Sequence, residues 1–137
     1  MKWRWKIAQA AEIRWWKQYL KKQTPSEYLK NKRTYWQRVL NDLSITVEPH
    51  QSILDAGCGP AGIFIYFPNQ KVDAVDPLLD AYANELPHFD PQQYPNTQFF
   101  CAPLEKWQAP QKYDFVFCLN AINHVENLEK SLDVIVN

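Results

Sequence analysis

Glycine is almost missing from this chain: there are three in 137 residues, and all of them, Gly57, Gly59 and Gly62, fall in one short stretch. Cysteine is as sparse. Cys58, Cys101 and Cys118 are odd in number, far apart and without metal-ligand spacing, which argues against a metal site. Buried small apolar residues is their ordinary reading; a second reading sets Cys58 and Cys118 together beside a bound ligand, where oxidation would block binding. No apolar run approaches the roughly 18 residues needed to span a bilayer. The N-terminus, MKWRWKIAQA, lacks the continuous apolar core of a secretory signal, so a cytoplasmic location is expected. Hydrophobic residues at 46% and charged residues at 22% are ordinary for a soluble domain and exclude disordered and fibrous classes. The length sets one domain as the upper limit.

Net charge is also absent, but its zero conceals a split. Residues 1–40 carry eleven Lys or Arg against Glu12 and Glu27, a net +9, and residues 41–137 carry four Lys against thirteen acids, a net −9. Five of the six tryptophans, Trp3, Trp5, Trp15, Trp16 and Trp36, lie in the basic part. Either the basic part is a separate functional arm, or the two parts attract each other. A helix rich in Trp and Lys would also suit the surface of an anionic membrane. A nucleic-acid groove has only charge in its favour, with no recognition motif.

The glycines sit in Ser52-Ile-Leu-Asp-Ala-Gly-Cys-Gly-Pro-Ala-Gly62, an apolar run closed by Asp55. Glycines so spaced let a strand turn sharply into a helix while the backbone passes close to a ligand. Gly57-x-Gly59-x-x-Gly62 fits the dinucleotide fingerprint, and Asp76 lies near the expected distance of about 20 residues for a ribose-binding acid. Asp55, two positions before the first glycine, does not suit that reading, which wants a small or apolar residue there.

Helical spacing predicts a first helix over 3–22. Thr24-Pro-Ser-Glu27 is a capping box with proline at the first position, and it predicts a second helix over 25–43. Strands are predicted at 52–56, 71–75, 97–101 and 113–118, with short helices at 61–67 and after Pro77, and another at 121–136. Four βα steps imply a parallel sheet.

The run Leu54 to Gly62 resembles the first motif of the class I S-adenosylmethionine-dependent methyltransferases. Val72-Asp-Ala-Val-Asp76 is similar to that family's second strand, and Tyr113 to Val125 to its fourth strand and following loop. The resemblance covers about residues 50–126. It implies an α/β, Rossmann-like methyltransferase fold, a parallel sheet with helices on both faces, in which residues 1–46 form a basic, Trp-rich extension of two helices and residues 47–137 a cofactor domain. The family's sheet has seven strands in the order 3-2-1-4-5-7-6. This chain is expected to be truncated after the fourth strand, as the cofactor-binding half of a longer enzyme. Phe115-Val116-Phe117 would then be an exposed edge, open to self-association or to a partner.

The resemblance also implies roles. Gly57 and Gly59, with Gly62, would present bare backbone to the methionine part of S-adenosyl-L-methionine, and Asp55 would support the loop or reach the cofactor's amino group through water. Asp76 would accept from the ribose hydroxyls, Leu78 would press on the adenine, Leu104 and Glu105 would lie at its edge, and Asn120 at the methionine end. Each has a plainer alternative: turn formation for Asp55 and the glycines, an Asp-Pro turn for Asp76, core packing for Leu78, a solvated surface acid for Glu105. His124 is either a general base or a packing residue, so the catalytic residue is unassigned. His50 and His88 lie in expected loops and receive no role. If the first two helices form a lid, Tyr28, Tyr35 and Trp36 would touch the acceptor and Lys32 and Arg33 would meet an anionic group; otherwise the aromatics pack the helices on the sheet. No metal is expected. The expected activity is methyl transfer to a small-molecule or lipid-like acceptor. The alternatives are a non-catalytic cofactor-binding or partner-pairing module and, further off, a nicotinamide-dependent oxidoreductase.

Overall fold

The computed structural model describes residues 2–118, with side chains from residue 6 onward. The expected helix at 121–136, Asn120 and His124 lie outside the described residues. Two helices come first, α1 (Lys2–Leu20) and α2 (Pro25–Asp42). The break between them forms as its sequence dictates. Thr24 Oγ1 accepts from the Glu27 amide at 3.2 Å, the Glu27 carboxylate accepts from the Thr24 amide at 3.5 Å, and Pro25 occupies the first turn, where a missing N–H costs nothing.

Strands β1 (Ser52–Ala56), β2 (Lys71–Val75), β3 (Thr97–Phe100) and β4 (Phe115–Phe117) form one parallel sheet in the order β3-β2-β1-β4. Successive side chains of a strand point to opposite faces, and both faces here are apolar. Ile53, Val72 and Ala74 join the cluster that includes Leu20, Tyr28, Trp36 and Leu40 of α1 and α2 and Leu79 and Tyr82 of α3 (Leu79–Glu85). Leu54, Ala56 and Val75 join a second cluster with Leu104 and Trp107. Asp73 is the polar exception within β2. It is buried, and Tyr113 donates its hydroxyl to Asp73 Oδ2 at 2.6 Å.

The segment expected as a helix over 61–67 is a single 3-10 turn, Ile63–Tyr66. Ile63, Phe64 and Ile65 are all buried in succession. A run without a polar face cannot lie as an amphipathic helix on a surface, and Pro68 cuts it short. Along β4, Val116 is 37% exposed, and among the described residues this strand pairs with β1 alone.

The opposed charges of the two parts meet in space: the Lys17 ammonium of α1 pairs with Glu85 of α3. Both groups are largely exposed, so the pair orients more than it stabilises. His88, given no role by the sequence, is 7% exposed, and its Nε2 donates to the Gln23 carbonyl at 2.7 Å. It ties the turn between α1 and α2 to the loop after α3.

Candidate cofactor site

At the carboxyl ends of β1 and β2 the chain turns on its glycines. Gly57 and Gly59 adopt φ of +67° and +64°, left-handed values that residues with a Cβ rarely take. The Gly57 and Cys58 amides donate to the Val75 carbonyl at 2.7 and 3.1 Å, so the loop folds over the end of β2. Asp76 completes the hold. Its Oδ2 accepts from the Gly59 amide at 3.0 Å and its Oδ1 from the Leu78 amide at 2.9 Å. The second bond is the turn an Asp-Pro sequence favours. One carboxylate therefore fixes both the glycine loop and the start of α3.

The loop is also anchored from beneath. Asp55 Oδ2 accepts from the Phe64 amide at 3.1 Å, and the buried Trp36 indole of α2 donates to the Ala61 carbonyl at 3.0 Å. A methyl group on Gly62 would run into Asp55 Oδ2 and the Cys58 carbonyl oxygen, so bare backbone is needed there by the loop's own packing. Gly59 differs. A methyl there would meet nothing nearer than the Trp16 ring, at 3.9 Å, and the backbone at this point faces open space under the indole of α1. Trp16 in turn packs edge-on against Tyr82 of α3, with ring centroids 6.3 Å apart.

Asp55 is only 5% exposed. Burial pushes its carboxyl up to about 7; Asp76 nearby adds to the rise, while the Phe64 amide and the Lys32 ammonium oppose it. Burial lowers Lys32 in turn, and Asp55 holds it back. A carboxyl whose folded-state pKa exceeds its unfolded value binds its proton more tightly in the native chain. Its contribution to stability is therefore full below the unfolded value and is lost as pH rises from about 4 to about 7. Urea unfolding is expected to show a lower midpoint at pH 8 than at pH 5. Asp55→Asn, which keeps an oxygen for the Phe64 amide, is expected to flatten that difference. A slope unchanged by the substitution would show that Asp55 is ionised throughout.

The remaining candidates divide. Leu78 is 7% exposed and begins α3 beside Asp76. Leu104 and Glu105 are 3% and 4% exposed, so Glu105 is a buried acid and not the solvated one that its sequence allowed. The reason is Trp107, which draws the turn Leu104–Lys106 onto the sheet's second cluster. Tyr28 and Trp36 are buried between the helices and the sheet, whereas Tyr35 is 45% exposed. The Lys32 ammonium lies 4.5 Å from the Tyr35 ring centroid and 4.7 Å from that of Trp36. Cys58 is buried in the first apolar cluster, and Cys118, one residue past β4, packs against the second. Trp16 is the residue that sequence reasoning missed as a neighbour of the glycine loop; its helical spacing marked it only as apolar. No group of side chains that could hold a metal occurs among the described residues, and no described helix is long and apolar enough to cross a membrane.

The model of a family described as "Methyltransferase domain" matches residues 53–137, which includes the glycine loop and Asp76. The chain belongs to the class I S-adenosylmethionine-dependent methyltransferases. The family's cofactor is S-adenosyl-L-methionine. Among solved structures, the plantazolicin methyltransferase BpumL in complex with a monoazolic desmethylPZN analog and SAH is similar in fold, with a TM-score of 0.54 at 22% identity. BpumL with SAH alone gives 0.53, also at 22% identity. Each comparison covers 92% of this chain and 47% of BpumL, so this methyltransferase chain spans about half the length of the structures it resembles. No curated protein matches the sequence.

Proposed function

We propose that this chain holds S-adenosyl-L-methionine at the glycine loop for methyl transfer to a small-molecule or lipid-like acceptor. The observation that carries this reading is the pairing of the Gly59 backbone, open under Trp16, with Asp76 at the end of β2. When bound, the cofactor supplies a methyl made electrophilic by a positive sulfur, so little acid–base chemistry is asked of the protein. What the chain's residues do is bind, orient and exclude water. Asp76, whose oxygens together can accept about four hydrogen bonds, takes the ribose hydroxyls in addition to the amides it already holds. Gly57 and Gly59 let the methionine part approach the backbone, and Leu78 presents an apolar surface to the adenine. Trp16, carried by α1 and steadied by Tyr82, covers the loop, so residues 1–46 act as the lid of the cofactor domain 47–137. The small-molecule class of acceptor is supported by BpumL, a plantazolicin methyltransferase.

Calorimetric titration of the 137-residue chain with S-adenosylhomocysteine and, separately, with NADH tests the reading. Binding of the first and not of the second is expected. NADH binding by a sample that ignores S-adenosylhomocysteine would replace it with an oxidoreductase, and a folded sample that binds neither would remove the cofactor assignment from this chain.

A further inference from the structure

A cavity of about 560 Å³ opens at the other end of the sheet, where β2 and β3 begin, and reaches Pro68 and Asn96. It exists because the link between β1 and β2 is a single 3-10 turn, over which α2 passes without filling the space. Among its lining residues the half-buried Tyr66 and Tyr94 present aromatic surface, and the Tyr94 ring packs edge-on against the buried Phe64 with centroids 5.0 Å apart. Lys30 and Arg33 of α2 also line it. No Asp or Glu lines the cavity, and neither cation has an ion-pair partner among the described residues. The Tyr94 hydroxyl is buried without a hydrogen-bond partner among them, a costly state for a polar group. Arg33 lies near enough to act on it electrostatically, with Asp90 acting in the opposite sense from outside the lining.

Two exposed cations with no acid among the lining residues, beside the half-buried rings of Tyr66 and Tyr94, suit one kind of molecule. A planar carboxylate matches a guanidinium in two parallel hydrogen bonds, and a flat body packs on aromatic faces. The volume lies within the range of small-molecule sites, roughly 300–1,000 Å³. We propose that this cavity binds a small organic anion with a flat apolar body, of the aromatic carboxylate class, at a site separate from the glycine loop. The site is independent of the cofactor reading, because no lining residue comes from the glycine loop or from Asp76.

The test is titration of the 137-residue chain with 1-naphthoate and with the neutral 1-naphthylmethanol. The unaltered chain is compared with Arg33→Met, and folding of both is confirmed by circular dichroism. Arg33 is exposed, and methionine keeps much of its stem, so this variant retains the fold. Naphthoate is expected to bind about tenfold more weakly to Arg33→Met. Naphthylmethanol is expected to bind more weakly than naphthoate to the unaltered chain and to be indifferent to Arg33→Met. Equal affinity for acid and alcohol, naphthoate binding unmoved by Arg33→Met, or no binding at millimolar concentration would overturn the proposal. Displacement of naphthoate by S-adenosylhomocysteine would do the same, since it would place the ligand at the glycine loop.

Discussion

S-adenosylhomocysteine is expected to bind Asp76→Ala about 100-fold more weakly than the unaltered chain, the largest effect on binding of any single substitution here. Two losses combine. A charge-assisted hydrogen bond contributes about 1.5–3 kcal/mol, and the alanine variant would lose those to the ribose hydroxyls. It would also release the Gly59 amide and the Leu78 amide, which Asp76 holds at 3.0 and 2.9 Å, so the loop that must meet the ligand would no longer be fixed. Asp76→Asn separates the two. It keeps one carbonyl oxygen as an acceptor and loses the charge, so an intermediate loss of about tenfold is expected. Calorimetry reads both variants, with circular dichroism to confirm that each is folded. Affinity for S-adenosylhomocysteine in Asp76→Ala equal to that of the unaltered chain would show that the ligand does not use the end of β2.

The second large effect is on stability. Gly62→Ala is expected to cost about 3 kcal/mol, because the added methyl would press on Asp55 Oδ2 and the Cys58 carbonyl oxygen, both held by a tightly bonded loop. Backbone strain is not the cause, since φ at Gly62 is −72°, which any residue adopts. At Gly59 the situation is reversed. There φ is +64°, so alanine pays for a left-handed backbone, about 1–2 kcal/mol, but finds no nearer neighbour than the Trp16 ring at 3.9 Å. Urea unfolding of the two variants should therefore rank Gly62→Ala as the less stable. Gly59→Ala should keep more of the fold while taking space next to the proposed ligand. Gly62→Ala as stable as Gly59→Ala would mean that the loop gives way at little cost and that the glycine spacing serves the ligand alone.

Local chemistry carried most of what the sequence foretold. The capping box at Thr24 and Glu27 formed because its partners are three residues apart, and β1 and β2 run over the spans their apolar runs predicted. Thr97–Phe100 and Phe115–Phe117 are shorter than the strands expected at 97–101 and 113–118. Strand ends depend on the length of the partner, and β4 meets β1 over three residue pairs. The loop's positive-φ glycines were legible for the same local reason: a strand that must turn at once needs residues without a Cβ.

By itself, then, the sequence determined the parallel sheet and the sharp turn at Gly57 and Gly59, since both follow from short-range spacing, and the resemblance carried by its ordered motifs implied the cofactor class. Only the tertiary structure decided what those residues meet. Trp36 reaches Ala61 across 25 positions, His88 reaches Gln23 across 65, and Trp16 comes to rest near Gly59. It alone divided the glycines into Gly59, which faces open space, and Gly62, which faces the loop itself. It alone buried Glu105 and opened a cavity beside Arg33. Such contacts depend on how helices of fixed length cross a twisted sheet, a geometry that no stretch of a dozen residues encodes.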